Sequence, residues 1–187
     1  HDVDERIGCT KDELAALLAE MSRGLRDVPS RDSARAWREE AVALRNRSIG
    51  LDARLEDLAV HARWSPRIDP EDLESLRQSL NANRVMSSRV LSIASDLATA
   101  AGGRSQTRLP QAALSPLADL IAMAADNIAA EDPNTSVGRT QAHEAVRVAD
   151  QTAQIALIGG IVSSINRINA ASSDSGDDTG EFDHVAT

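Results

Sequence analysis

The chain has 187 residues, a formal net charge of −9 and one cysteine, Cys9. That length fits one domain with room for a real core. The charge argues against nucleic acid and anionic lipid surfaces as partners, and a lone cysteine excludes an internal disulfide. Aromatic residues are only 2% of the chain, namely Trp37, Trp64 and Phe182. A core built almost entirely from Ala, Leu, Ile and Val favours close-packed helices over sandwiches or barrels. All basic residues but Lys11 are Arg, and the chain starts at His1-Asp2 without Met, which reads as an excised or processed piece. The longest apolar run, Ile155 to Val162, is interrupted by Gly159-Gly160. It falls well short of the ~18–20 residues that span a bilayer, so no direct membrane insertion by this fragment is expected.

Residues 1–9 are polar and read as a flexible N-terminal segment. Thr10-Lys-Asp-Glu13 has the form of a capping box, with Leu14, Leu17, Leu18, Met21 and Leu25 following at helical spacing. This predicts a short first helix ending near Asp27. Ser30 or Asp32 can cap a second helix running to about Trp64, with Trp37, Ala41, Leu44, Leu51, Leu55, Leu58 and Ala62 on its apolar stripe. Gly50 inside it marks a bend or a close approach of another helix. Ser65-Pro66 ends the helix, since the residue before proline is pushed out of the α region. The link to the next helix is short, which predicts an antiparallel hairpin.

The organising element is the third helix, over 69–101. Asp69 is its N-cap, Pro70 occupies the first helical position, and Gly102-Gly103 ends it through a left-handed residue. Leu73, Leu76, Leu80, Leu91, Ala94 and Leu97 form its stripe. A polar band of Asn83, Arg84, Ser87 and Arg89 interrupts that stripe. Pro110 or Ser115-Pro116 opens a fourth helix to about Ala130, carrying Leu117, Leu120, Ile121, Ala124 and Ile128. A turn at 131–134 leads to a fifth, from about Val137 or Arg139 to Ala171, with Ala142, Val146, Ala149, Ala153, Leu157, Ile161, Ile165 and Ile168 on one side. Residues 172–187 read as a disordered acidic tail that contributes nothing to folding. The fold expected is all-α, an elongated bundle of about five helices, three of them long, with the domain over 10–171.

Chemistry-bearing motifs are few. His143-Glu144 lies on a helix but lacks the proline of a histidine-kinase phosphoacceptor segment, and reads as a solvent-facing pair. His1, His61 and His184 are scattered, with no paired spacing for a metal. The glycine pairs follow or interrupt helices rather than joining a strand to a helix, so they form no phosphate loop. Gly159-Gly160 reads instead as a place for close helix packing. The polar band has two readings, a solvated face beside a narrow core stripe, or a buried polar layer that fixes register or docks a partner. Arg84 and Arg89, five residues apart, point roughly 140° apart, so at most one is central. Asn83 and Ser87 share a face with Leu76, Leu80 and Leu91. Asn83 is therefore expected in the core, hydrogen-bonded across to the second or fifth helix. Buried arginines would need carboxylates such as Glu39, Glu40, Glu56 or Asp57.

Several stretches together resemble the soluble cytoplasmic region of bacterial fusaric-acid-resistance and aromatic-acid-exporter membrane proteins. Trp37-Arg-Glu-Glu-Ala-Val-Ala-Leu44 through Trp64-Ser65-Pro66-Arg67 is similar to that family's tryptophan-opened helix and its closing Pro-Arg element. Leu73, Leu76, Leu80 and Arg84-Val-Met-Ser-Ser-Arg89 resemble its leucine helix with an Arg-Val-Leu-Ala-Arg-like core, with one residue more between the arginines. Leu117-Ala-Asp-Leu-Ile121 resembles the shorter helix that follows. Gln151-Thr-Ala-Gln154 falls where the family has a Gln-x-Arg-Ser-like segment, here without the Arg. The resemblance covers about residues 10–170, and each motif in it is degenerate. It implies a non-catalytic helical domain on the cytoplasmic side of the inner membrane, without cofactor, metal or catalytic residue. Its partner would be the membrane-spanning part of the same protein or another protein, with homo-oligomerisation open. The alternative is a free-standing helical adaptor binding a protein through an exposed helix face. Trp37, Trp64, Asn83, Arg84, Ser87 and Arg89 are the candidate structural or docking residues.

Overall fold

The computed structural model describes residues 2–27, 29–62, 69–103, 106–130 and 139–174. These form six helices and no strand: α1 (Asp2–Arg26), α2 (Arg31–Ala62), α3 (Pro70–Gly102), α4 (Gln111–Ala129), α5 (Arg139–Arg147) and α6 (Thr152–Asp174). The all-α class is as expected, with six helices in place of five.

α1 starts at Asp2, not after Thr10, so the segment expected to be loose is helical. Val3 and Ile7 extend the stripe of Leu14, Leu17, Leu18, Met21 and Leu25, and all seven are buried. Thr10 sits on that same face, where its hydroxyl donates to the Arg6 carbonyl at 2.8 Å. A hydroxyl satisfied by the preceding turn is compatible with a helix interior, so the capping-box pattern did not mark a terminus. Glu13 instead accepts from Arg47 of α2 at 2.6 Å.

α2 opens on Ser30, whose hydroxyl accepts from the Ser33 N–H at 3.0 Å. Its stripe turns Trp37, Ala41, Leu44, Leu51 and Leu55 inward. Trp37 is 3% exposed and donates its indole N–H to Glu20 of α1 at 3.0 Å. The ring lies over Gly24, where any Cβ would fall on it. Gly50 has no neighbouring helix in the place a Cβ would take, so close approach does not explain it. Trp64 and the Ser65-Pro66 stop lie outside the described residues.

Asp69 caps α3 as expected, its Oδ1 accepting from the Glu71 N–H at 3.0 Å. At the other end Gly103 is extended, with φ −78°, rather than left-handed. Glycine is needed there for space, because a Cβ would meet Thr107 and the Thr99 carbonyl. Arg45, Asp52 and Val60 of α2 lie by Arg89, Arg84 and Arg77 of α3 in turn, so the two helices run antiparallel. α4 opens after Pro110 and carries Pro116 in its interior. It packs on α1, where Ser22 donates to the Ala118 carbonyl and Arg26 meets Asp119 at 2.7 Å. α4 is long and apolar enough by composition to cross a membrane, but most of its apolar window is buried in the bundle.

The expected long fifth helix is two helices, α5 and α6, parted at 148–151. No proline or glycine marks the break. Gln154 holds it: its side-chain oxygen accepts the Asp150 N–H at 3.3 Å, and its Nε2 donates to the Arg108 carbonyl at 2.8 Å. With the helix broken there, Ala145 is in the core and the stripe residue Val146 is 38% exposed. α6 runs to Asp174, past the expected start of the tail. Ser172 is buried, its hydroxyl bonded to the Ile168 carbonyl and 3.5 Å from Met86 Sδ, so the first residues assigned to the tail belong to the fold. Residues 175–187 lie outside the described residues.

The buried apolar residues form two clusters. The larger joins all six helices, and the smaller holds Val3, Ile7, Leu51, Leu55 and Leu80. Gly24→Ala tests the notch that sets the α1–α2 spacing. Alanine favours a helix interior by about 1 kcal/mol over glycine. With the indole in the way, the thermal midpoint is nevertheless expected to fall, by several degrees at about 2–4 °C per kcal/mol. An unchanged or raised midpoint by circular dichroism would show that the ring moves aside freely.

Candidate functional site

Between the two clusters, each of α1, α2 and α3 buries a polar side chain. Thr10 lies between Ile7 and Leu14, Ser48 between Leu44 and Leu51, and Asn83 between Leu80 and Met86, with Ser87 one turn on. Asn83, Ser48 and Ser87 are fully buried. The polar band on α3 therefore divides by face. Asn83 and Ser87 form part of a buried layer, as their spacing with Leu80 requires. Arg84 is exposed and Arg89 half-buried on the flank.

Among the described residues the expected cross-helix bond of Asn83 is absent: its amide nitrogen and amide oxygen are buried with no hydrogen-bond partner there, and so is the Ser48 hydroxyl. Ser87 turns back on its own helix and donates to the Arg84 carbonyl at 3.1 Å. An amide facing Leu80 and Met86 along its helix has the right spacing for the core but not the right chemistry. Elsewhere buried amides are matched, as where Asn127 of α4 donates to Asn169 of α6 at 3.0 Å.

The arginines do not enter the core either. Arg84 lies 3.7 Å from Asp52, which is not one of the expected partners Glu39, Glu40, Glu56 and Asp57. Glu40 instead pairs with Arg47 at 3.2 Å, and Glu39 with Arg35 at 3.8 Å. Although Arg84 and Arg89 leave α3 in different directions, both reach one recess on its flank, together with Arg45 of α2. Arg45 does not stand out on its own helix. Counting outward from the short α2–α3 link places it opposite Arg89, a signal that was there to be used. From this recess a groove runs between α3 and α6 past Ser92, Ser95 and Ser163 to Asp96 and Gly160. A Cβ on Gly160 would meet the Asp96 carboxylate, whereas one on Gly159 would meet nothing. Only the second glycine of the pair serves close packing. Burial pushes the Asp96 carboxyl above its ordinary range.

On the α1 side, a separate recess of about 350 Å³ is lined by Arg6, Cys9, Thr10, Glu13, Arg47 and Arg54. Nearby, burial lowers the Lys11 ammonium from its ordinary value, with Asp4 pulling it back up. Trp37 is part of the α1–α2 packing and reaches neither recess, and Trp64 lies outside the described residues. His143 and Glu144 are exposed on α5 as expected. Among the described residues no group of His, Cys, Asp and Glu is placed to hold a metal. What these surfaces offer chemically is guanidinium and hydroxyl hydrogen-bond donors, with the carboxylates of Glu13 and Asp96 beside them.

Asn83→Leu is expected to raise the chemical-denaturation midpoint. It removes an unpaired buried amide, which costs about 1–3 kcal/mol, at little change in volume. Asn81→Ala, at an exposed position on the same helix, should leave the midpoint unchanged. A large loss in Asn83→Leu would mean that the amide is bonded. Asp96 gives a pH test. Its folded-state value lies above the ordinary 3.8, so ionisation costs stability. That cost is absent below the ordinary value and complete once pH has risen past the folded one. Asp96→Asn should therefore melt higher than the parent near neutral pH, with the difference vanishing in acid below the carboxylate range. A pH-independent difference would count against the burial account.

Compared with protein-family models, with curated proteins and with solved structures, the chain matches none.

Proposed function

We propose that this chain is a non-catalytic helical domain on the cytoplasmic side of a bacterial inner-membrane transporter-like protein, serving assembly, regulation or a cytoplasmic vestibule. The observation that carries the reading is the far end of the α2–α3 pair. No residue in 56–60 or 70–79 is fully buried. Leu58, Leu73 and Leu76 are only partly covered, and Val60 is 56% exposed. Two helices that continue past the fully buried core and leave apolar side chains half-covered offer a surface for another polypeptide. The resemblance to the soluble region of aromatic-acid-exporter proteins supplies the membrane-spanning part of the same protein as that polypeptide. A free-standing adaptor would use the same end of the pair for a separate partner.

The two readings part on what the neighbouring reading frame encodes. Spanning helices beside this segment, and a full-length product that sediments with inner membranes, are expected. A full-length product that stays in the soluble fraction overturns the transporter reading and leaves the adaptor. Val60→Glu, an exposed change, should move the stability of the isolated domain by no more than about 0.5 kcal/mol. In the full-length protein it should shrink the native complex seen on a non-denaturing gel. A complex of unchanged size would take the assembly role away from this end of the pair.

A further inference from the structure

Arg45 of α2 and Arg84 and Arg89 of α3 line a single recess of about 260 Å³, with Ser88 in its wall. Arginines that bridge helices elsewhere meet carboxylates at 2.6–2.7 Å, Arg47 with Glu13 and Arg26 with Asp119. Here, among the described residues, the one carboxylate paired with any of the three is Asp52, 3.7 Å from Arg84 and beyond good hydrogen-bond distance. Arg45 and Arg89 have no ion pair among the described residues. Their own helices offer none: the positions three and four away are Ala41, Val42, Ser48 and Ile49 for Arg45, and Val85, Met86, Ser92 and Ile93 for Arg89. In a chain with an excess of acidic residues, three guanidiniums against one carboxylate leave two positive charges facing each other across α2 and α3.

We propose that this recess is an anion site for the dianionic phosphate of a small phosphomonoester, held by the guanidinium forks of Arg45 and Arg89 with the Ser88 hydroxyl as a neutral donor. The charge count selects the ligand, because a carboxylate or a phosphodiester brings one negative charge and a phosphomonoester brings close to two. Geometry selects the residues, since arginine presents paired N–H groups that match phosphate oxygens. The recess is large enough for a phosphate group with part of what it is attached to. The remainder of the ligand would lie along the serine-lined groove between α3 and α6, which shares Arg45, Ser88 and Arg89 with the recess. Asp96, seven positions beyond Arg89, is about 10 Å farther along the helix and leaves the anion end clear. The inference stands apart from the assembly role and does not need it.

The test is an NMR titration of the isotopically labelled chain with inorganic phosphate and with glycerol 3-phosphate, against sodium chloride at matched ionic strength. Saturable shifts are expected at the Ser88 and Arg89 amides and at the Arg45 and Arg89 side-chain N–H signals, with glycerol 3-phosphate binding at least as tightly as phosphate. Arg45→Gln and Arg89→Gln should each weaken binding by about tenfold or more, the usual scale of a lost charged hydrogen-bond pair. Arg38→Gln, an exposed change on α2 outside the recess, should not. Both recess variants should melt no lower than the parent in phosphate-free buffer, since each relieves repulsion. Arg89→Lys, which keeps the charge without the fork, should bind with intermediate affinity and provides the comparison if a glutamine variant folds poorly. Shifts that chloride reproduces, or affinity unchanged in the recess variants, would overturn the site. Binding to phosphatidylglycerol vesicles without binding to either soluble phosphate would overturn the phosphomonoester in favour of a lipid headgroup.

Discussion

The bundle depends on how Trp37 of α2 sits against α1. In a chain so poor in aromatics, this indole is the one bulky ring in the described core, and it lies where Gly24 has no side chain. Glu20, one turn before Gly24, takes the indole N–H, so the ring is fixed at its polar edge as well as its face. Once the two helices meet at that point, their register follows along their whole length. Glu13 comes level with Arg47, and Val3 and Ile7 come level with Leu51 and Leu55. The opposite side of α1 is then free for α4, whose Ala118 carbonyl receives Ser22.

α3 and α6 complete the bundle on different terms. Where α6 meets α4 and the loop before it, buried polar groups are answered: Asn127 finds Asn169, and Gln154 finds the Arg108 carbonyl while shaping the turn before its own helix. Each such bond contributes about 0.5–1.5 kcal/mol net and fixes one alignment of the helices it joins. Where α3 meets α1 and α2, the buried amide of Asn83 has no such answer among the described residues. It works against stability, yet a slid register that carried it fully against Leu44 or Leu51 would not relieve it. An amide left unpaired in each alignment adds the same cost to all of them, so the register here is set by the apolar packing and not by Asn83.

How far the sequence reveals this molecule varies with how local the cause is. The stripes of α1 and α4 are legible because helical spacing needs only neighbouring residues. The N-cap at Asp69 is legible for the same reason. The start of α1 was not, because Asp4, Glu5 and Arg6 outweigh Val3 and Ile7 until Leu51, Leu55 and Leu80 are there to receive them. The break before α6 has no proline or glycine, and its cause, Arg108, is far away in sequence. Spacing placed Asn83 in the core, since that depends on one helix. Whether it would find a partner depends on three. Arg84 and Arg89 stood out as part of an odd polar band, whereas Arg45 becomes notable only when α2 is laid antiparallel against α3.

The division of the buried side chains into two clusters bears on how the molecule comes apart. A protein opens first where a group of contacts can be lost without disturbing the rest. The cluster of Val3, Ile7, Leu51, Leu55 and Leu80 is small, lies beyond the polar layer, and gathers the start of α1 with the distal parts of α2 and α3. It is the natural unit of sub-global opening, and amide protons there are expected to exchange through a lower-energy state than those around Leu18, Leu97 and Ile121. The layer that disrupts the core thus acts as a seam along which one end can melt and reform while the other remains folded.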